Sequence, residues 1–205
     1  MLEGLHAFLQ QPDLIEDTFV RLESIEFKGD DGLLAISVLD YGGQETWSRW
    51  TVTARGIRDY CIRDAGGDLS LFESGHVLAL QHTDRCQGLS FRGMPRSAPE
   101  CVGRLMAAHI RAVGDWIPFR RYLNTLCDLE QLLAGGFGQL ADGPSFLMKA
   151  YADVLRQEGI AARLLADRPA KCWMGRQWVE NPFVLATLLI GDAYVVGVDF
   201  EERRA

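Results

Sequence analysis

Between residues 12 and 92 the chain runs through short stretches of alternating apolar and polar residues, and no gap between them could hold a crossover helix. Period two places successive side chains on opposite faces of a strand. Without crossover helices, such strands must pair antiparallel. Val20 and Leu22 alternate in one phase and Ile25 and Phe27 in the other, which predicts a β-bulge near Ser24. "KGDDG" reads as a hairpin turn, and Gly42–Gly43 as another. "LLAISVLDY" is apolar on both faces and belongs in the middle of a sheet. "QETWSRWTVTARGIRDYCIR" reads as one bent strand or two joined near Gly56, and "DAGGD" as a turn. "LSLFES", "HVLALQH" and "QGLSFRG" follow as short strands, so about six strands form a curved antiparallel meander. A short helix precedes them, with Leu2, Leu5, Phe8 and Leu9 on one face.

At "GMPRSAP", residues 93–99, the period changes to helical. Ser97 is placed to cap a helix, with Pro99 in its first turn and Glu100 three residues on. That helix runs to about Val113, with Val102, Leu105, Met106, His109 and Val113 on one side, and "GDWIPF" breaks it. Short helices are expected over 117–124 and 128–134. Residues 145–158 carry the clearest apolar stripe: Phe146, Leu147, Ala150, Tyr151, Val154 and Leu155, closed by Gly159. "IAARLLA" reads as a strand and "KCWMGRQWV" as a hairpin or loop. "NPFVLATLL" reads as a short helix capped by Asn181, with Pro182 at its start, and "AYVVGVDF" as a last strand. The expected class is α+β. An antiparallel β part with a short N-terminal helix spans 1–92, a helix-rich α/β part spans 98–205, and the two pack as one unit.

"GFGQLADGPSF", residues 136–146, nearly spells a phosphate-binding loop, G-x-x-x-x-G followed by Lys and Ser or Thr. Here Pro144 stands at the Lys position and supplies no charge, and Asp142 would repel a phosphate. The preceding "DLEQLLAGG" has helical spacing, whereas such a loop follows a strand. The expected reading is two helix ends in a row, with Asp142 capping the second.

Net charge, −7 over 205 residues, argues against a general nucleic-acid binder. It is unevenly spread. Residues 1–84 carry 6 basic and 15 acidic side chains, while residues 85–121 carry 7 arginines against Glu100 and Asp115. The five cysteines show no C-x-x-C spacing, and "MLEGLHAFLQ" does not read as a signal peptide, so reduced thiols and a cytoplasmic location are expected. No apolar run approaches the roughly 20 residues that span a bilayer, so no membrane partner is expected. No cofactor motif and no metal set are read.

Two kinds of site residue stand out. "HTDRC" places His82, Asp84 and Cys86 two apart, on one face if the segment is a strand, with His76 a strand-length away. That spacing suits a metal or Cys–His site less well than a turn. His109 falls on an apolar helix face, the place of a structural histidine, two helical turns from Cys101. His6 reads as structural or exposed. The other kind is aromatic and cationic. "RPAKCWMGRQW" interleaves Lys171, Trp173, Arg176 and Trp178, and "WIPFRRY" sets Arg120 and Arg121 beside Trp116. Such clusters either pack their aromatics on a sheet or present them to a partner. Trp47 and Trp50 differ in strand parity, so one of them belongs in the core. The expectation is a soluble protein-binding protein of inhibitor or immunity type. The alternative is a small hydrolase or transferase whose site assembles from His82, Asp84 and Cys86, or from His109 and Cys101.

Overall fold

The computed structural model describes residues 2–11, 18–40, 45–63 and 66–204. In chain order come α1 (Glu3–Leu9), β1 (Thr18–Lys28), β2 (Asp31–Asp40), β3 (Thr46–Arg55), β4 (Asp59–Cys61), β5 (Gly66–Gly67), β6 (Leu69–Phe72), α2 (Val77–Thr83), β7 (Cys86–Arg92) and α3 (Ala98–Val113). A 3-10 turn (Phe119–Arg121), α4 (Leu129–Ala134), β8 (Phe137–Pro144), α5 (Ser145–Gln157) and β9 (Ala161–Arg168) follow. The chain ends with β10 (Lys171–Trp173), β11 (Trp178–Glu180), β12 (Ala186–Ile190), β13 (Ala193–Gly197) and β14 (Asp199–Arg204). The fold is α+β and the sheets are antiparallel. The chain divides into two compact units, Met1–Ala79 with Phe183–Ala205, and Leu80–Pro182. The first carries 8 basic and 18 acidic residues, the second 13 and 10. Among the described residues, no helix is long and apolar enough to cross a membrane.

The first unit holds two sheets, ordered β14-β3-β2-β1-β5 and β4-β13-β12-β6. β2 is the central strand of the larger sheet, as its two-faced apolar pattern requires. The register of β1 on β2 slips between Leu22 and Ser24, where the phase change in the sequence lies. Leu34, Ile36 and Val38 of β2 and Trp50 and Val52 of β3 meet Leu188, Ile190 and Val195 of the smaller sheet in one core. Burying each such side chain contributes about 1.5–3 kcal/mol. Leu2 and Leu5 of α1 join this core, and Glu202 of β14 accepts from the Gly4 and Leu5 amides at the helix start.

Two of the chain's crossings between these two sheets lie side by side. β3 ends at Arg55 and β4 begins in the other sheet at Asp59; β13 ends at Gly197 and β14 returns at Asp199. Gly56, at φ +57, lies where an added Cβ would stand 2.8 Å from Val198 Cγ2, so the two crossings pack against each other. The Val198 amide donates to the Arg55 carbonyl at 2.8 Å.

The second unit is built on a three-stranded sheet, β8-β7-β9, with α3, α4 and α5. Ser97 caps α3, its hydroxyl accepting from the Glu100 amide, and Gly114 ends it at φ +60. Cys101, Leu105, His109 and Val113 form the buried stripe of α3, and Leu147, Met148, Tyr151, Ala152 and Leu155 that of α5. Asp128 caps α4, and Gly159, at φ +74, follows α5.

Several expectations give way. "HVLALQH" is α2 and not a strand; a short apolar run without alternation suits either element, and only Leu78 and Ala79 are buried. β7 is the centre of the second unit's sheet and not part of the N-terminal meander. Conversely, β12, β13 and β14 join the N-terminal strands, so the chain divides elsewhere than at 92 and 98. Residues 186–189 of "NPFVLATLL" form β12 together with Ile190, paired on both sides, because partners on β13 and β6 outweigh a local cap signal. Asn181 caps nothing; its amide donates to Ala170 O at 2.8 Å and its side chain to His82 O at 3.1 Å. "GFGQLADGP" is neither a phosphate loop nor two helix ends but strand β8. The turn read at Gly42–Gly43 lies outside the described residues, as do Asp64 and Ala65 of "DAGGD".

Candidate functional site

β10 and β11 form a hairpin with the pairs Lys171–Glu180, Cys172–Val179 and Trp173–Trp178. The Met174 amide donates to Gln177 O at 3.0 Å, which leaves Gly175 and Arg176 as the two turn residues. Gly175 sits at φ +73, the conformation this tight turn demands at its first central position. Alternation then sorts the faces. Cys172 is buried beneath, while Lys171, Trp173, Trp178 and Glu180 all lie on the exposed outer face. A two-stranded ribbon is marginal alone. Burial of Cys172 and Ala170, together with the Asn181 bonds, holds this one down.

Trp173 and Trp178 stay 49% and 64% exposed. Their ring centroids are 5.8 Å apart and the planes are inclined at 62°, an edge-to-face pair. The two indoles therefore hold each other while presenting about half or more of their surface to solvent. Met174 is half exposed at the turn, and Arg176 and Gln177 are exposed beside it. The segment that the sequence left open between core packing and presentation thus lies on the surface.

The "WIPFRRY" segment is split. Ile117 is buried, Trp116 is half-buried, and Arg120 and Arg121 are exposed. Phe119 packs edge-on to His109 and Tyr151, with centroids at 5.5 and 6.4 Å. Phe119, Arg120 and Leu123 border a groove of about 660 Å³ with Val102 and Met106 of α3 and Leu129 of α4.

Two of the residues named for catalysis, Asp84 and His109, make structural hydrogen bonds. His82 lies in the last turn of α2, Asp84 follows that helix and Cys86 opens β7, so they do not share one strand face. Asp84 Oδ2 accepts from the Phe146 amide at 3.0 Å and so caps α5, the role the sequence assigned to Asp142. Asp142 instead takes a two-oxygen ion pair from Arg168, at 2.5 and 2.8 Å across the sheet. Burial pushes the Cys86 and Cys101 thiols up, away from the reactive thiolate. His109 is 1% exposed; Nε2 bonds Ile117 O at 2.6 Å and Nδ1 bonds the Tyr151 hydroxyl at 2.7 Å. Burial raises the Tyr151 phenol as well. Trp50 is core and Trp47 half-buried; His6 is half-buried in α1. Among the described residues, no three His, Cys, Asp or Glu side chains come together to hold a metal ion.

One feature escaped the sequence altogether, a cleft in the first unit around Arg58, Phe27 and Tyr60. Its residues come from two separate turns, and no local pattern announces it. No family model matches the chain, and no curated protein or solved structure matches it either.

Proposed function

We propose that the chain is a protein-binding protein and that it grips its partner through the Trp173–Trp178 hairpin. The observation that carries this reading is the pair of indoles held edge-to-face on an exposed ribbon. Exposed apolar patches of this kind are unfavourable in water unless something covers them. Tryptophan and arginine also supply most of the strong anchor points at protein interfaces. Arg176 at the turn and Lys171 at the base add direction and cationic charge. The hydrolase or transferase reading finds less support, because Asp84 and His109 are occupied by helix capping and core hydrogen bonds.

The test is capture of a partner by purified protein, compared with Trp173→Ala, Trp178→Ala and Arg176→Ala. Loss of an interface anchor costs about 2 kcal/mol or more, roughly thirtyfold in affinity. The same substitutions lie at exposed positions and shift folding stability by only about 0.5–1 kcal/mol. Lost capture with a nearly unchanged melt supports the reading. Capture that all three variants keep in full refutes it.

A further inference from the structure

Beside the first crossing between the sheets of the N-terminal unit lies a cleft of about 210 Å³. The β1–β2 turn supplies Phe27 and Asp30 to it, and the chain after β3 supplies Ile57, Arg58, Asp59 and Tyr60. The Ile57 amide donates to Asp30 O at 2.6 Å and the Arg58 amide to Val196 O at 2.8 Å, so both walls are fixed by backbone bonds.

Arg58 is the unusual member. Its side chain is 15% exposed, yet its buried Nε makes no hydrogen bond. Among the described residues its ion-pair partner is Asp30, whose Oδ2 stands 3.7 Å from Nη1, beyond hydrogen-bond range. The guanidinium lies over the Phe183 ring at 5.3 Å, which offers no acceptor along its edge. A largely buried cation with an unused donor is among the costliest groups to leave incomplete, and its planar fork matches a carboxylate.

The surroundings select among carboxylates. Asp59 is committed, accepting from the Tyr60 amide at 2.9 Å and the Tyr194 hydroxyl at 3.4 Å. The Asp30 side chain is 77% exposed and, among the described residues, makes just the long contact to Arg58. With one cation and two carboxylates at the cleft, a simple anion is repelled. A molecule that carries both charges meets the opposite sign at each end. Phe27 and Tyr60, both half exposed with centroids 4.8 Å apart, form an apolar wall beside these charges. The volume equals roughly seven waters at ~30 Å³ each, so the occupant is small.

We propose that this cleft binds a free α-amino acid with an apolar or aromatic side chain. Its carboxylate lies on Arg58, its ammonium on Asp30, and its side chain on the Phe27–Tyr60 wall.

Calorimetry with three probes on the full chain tests this: phenylalanine, phenylacetate and phenethylamine, each up to about 10 mM, a range that covers millimolar dissociation constants. Phenylalanine is expected to bind at least about tenfold more tightly than either single-charge probe, which corresponds to the loss of one charge contact. Arg58→Gln and Asp30→Asn are each expected to weaken it by a similar factor. Arg58→Gln alters a largely buried side chain and so touches folding too; Asp30→Asn and Phe27→Ala, both at exposed positions, carry the test independently. Absence of phenylalanine binding, equal binding of all three probes, or full affinity in both exposed-site variants overturns the proposal.

Discussion

Replacing His109 by phenylalanine removes the centre of a buried polar chain while filling most of its space. The Ile117 carbonyl can only accept, so Nε2 carries the hydrogen that bonds it, and Nδ1 shares a hydrogen bond with the Tyr151 hydroxyl. A phenyl ring in place of the imidazole would leave both the carbonyl and the hydroxyl without a partner at a place the solvent does not reach. Each such loss costs about 1–3 kcal/mol, which puts His109→Phe at about 2–6 kcal/mol. Tyr151→Phe alone strands only the ring nitrogen, for about 1–2 kcal/mol. In the double variant the hydroxyl is no longer orphaned, so the combined loss should fall short of the sum by about 1 kcal/mol or more. Urea unfolding followed by tryptophan fluorescence measures all three, provided the denaturant slope stays constant. A His109→Phe cost below about 1 kcal/mol, or additivity within about 0.5 kcal/mol, refutes the claim that this chain of bonds secures α3 to α5.

Two further outcomes follow from the same reasoning. Asp84→Ala should cost about 0.5–2 kcal/mol and speed amide exchange at the start of α5, since it removes the acceptor for the Phe146 amide. Asp142→Ala, which breaks only an exposed ion pair, should cost under about 1 kcal/mol; the reverse ranking would return the cap to Asp142. His76 Nδ1 accepts from the Leu78 amide at 3.4 Å at the start of α2, and burial lowers its affinity for a proton. The unfolded chain then binds that proton more readily than the folded one. This contribution is therefore complete above the unfolded value of about 6.5 and is lost as pH falls below it toward the lowered folded value. Unfolding free energy measured from pH 8 to pH 5 should decline more in the natural protein than in His76→Asn, which keeps an acceptor without titrating; parallel curves would remove His76 from the account.

What could be read along the chain was what short-range forces decide. Ser97, Pro99 and Glu100 specify the start of α3 by bonds within one turn. The phase change at Ser24 and the two-sided apolar run of β2 follow directly from the pleat. The Trp hairpin was visible as a turn between aromatic residues, and its exposure depended on which face the buried Cys172 took. What could not be read was partner choice at long range. β7 alternates equally well for either sheet, and the Asn181–Pro182 signal carries no trace of the strands that claim Ala186–Ile190. Asp84 caps a helix 62 residues away, a pairing that no spacing rule reaches. The Arg58 cleft was hidden for the same reason, because its walls come from two turns brought together by the sheet crossing.

The interleaving of the N-terminal unit sets an order of events on the ribosome. β12, β13 and β14 follow the whole of Leu80–Pro182 in the chain, yet β4 and β6 pair only with strands from that late group among the described residues. At a synthesis rate of about 5–20 residues per second, the second unit emerges and can fold while the first still waits. During that interval β3 presents the backbone edge that β14 will later cover. An open edge of this kind is a template for pairing with a neighbouring nascent chain. The unit begun earlier is thus the one completed later, and crowding of ribosomes on one message falls most heavily on it.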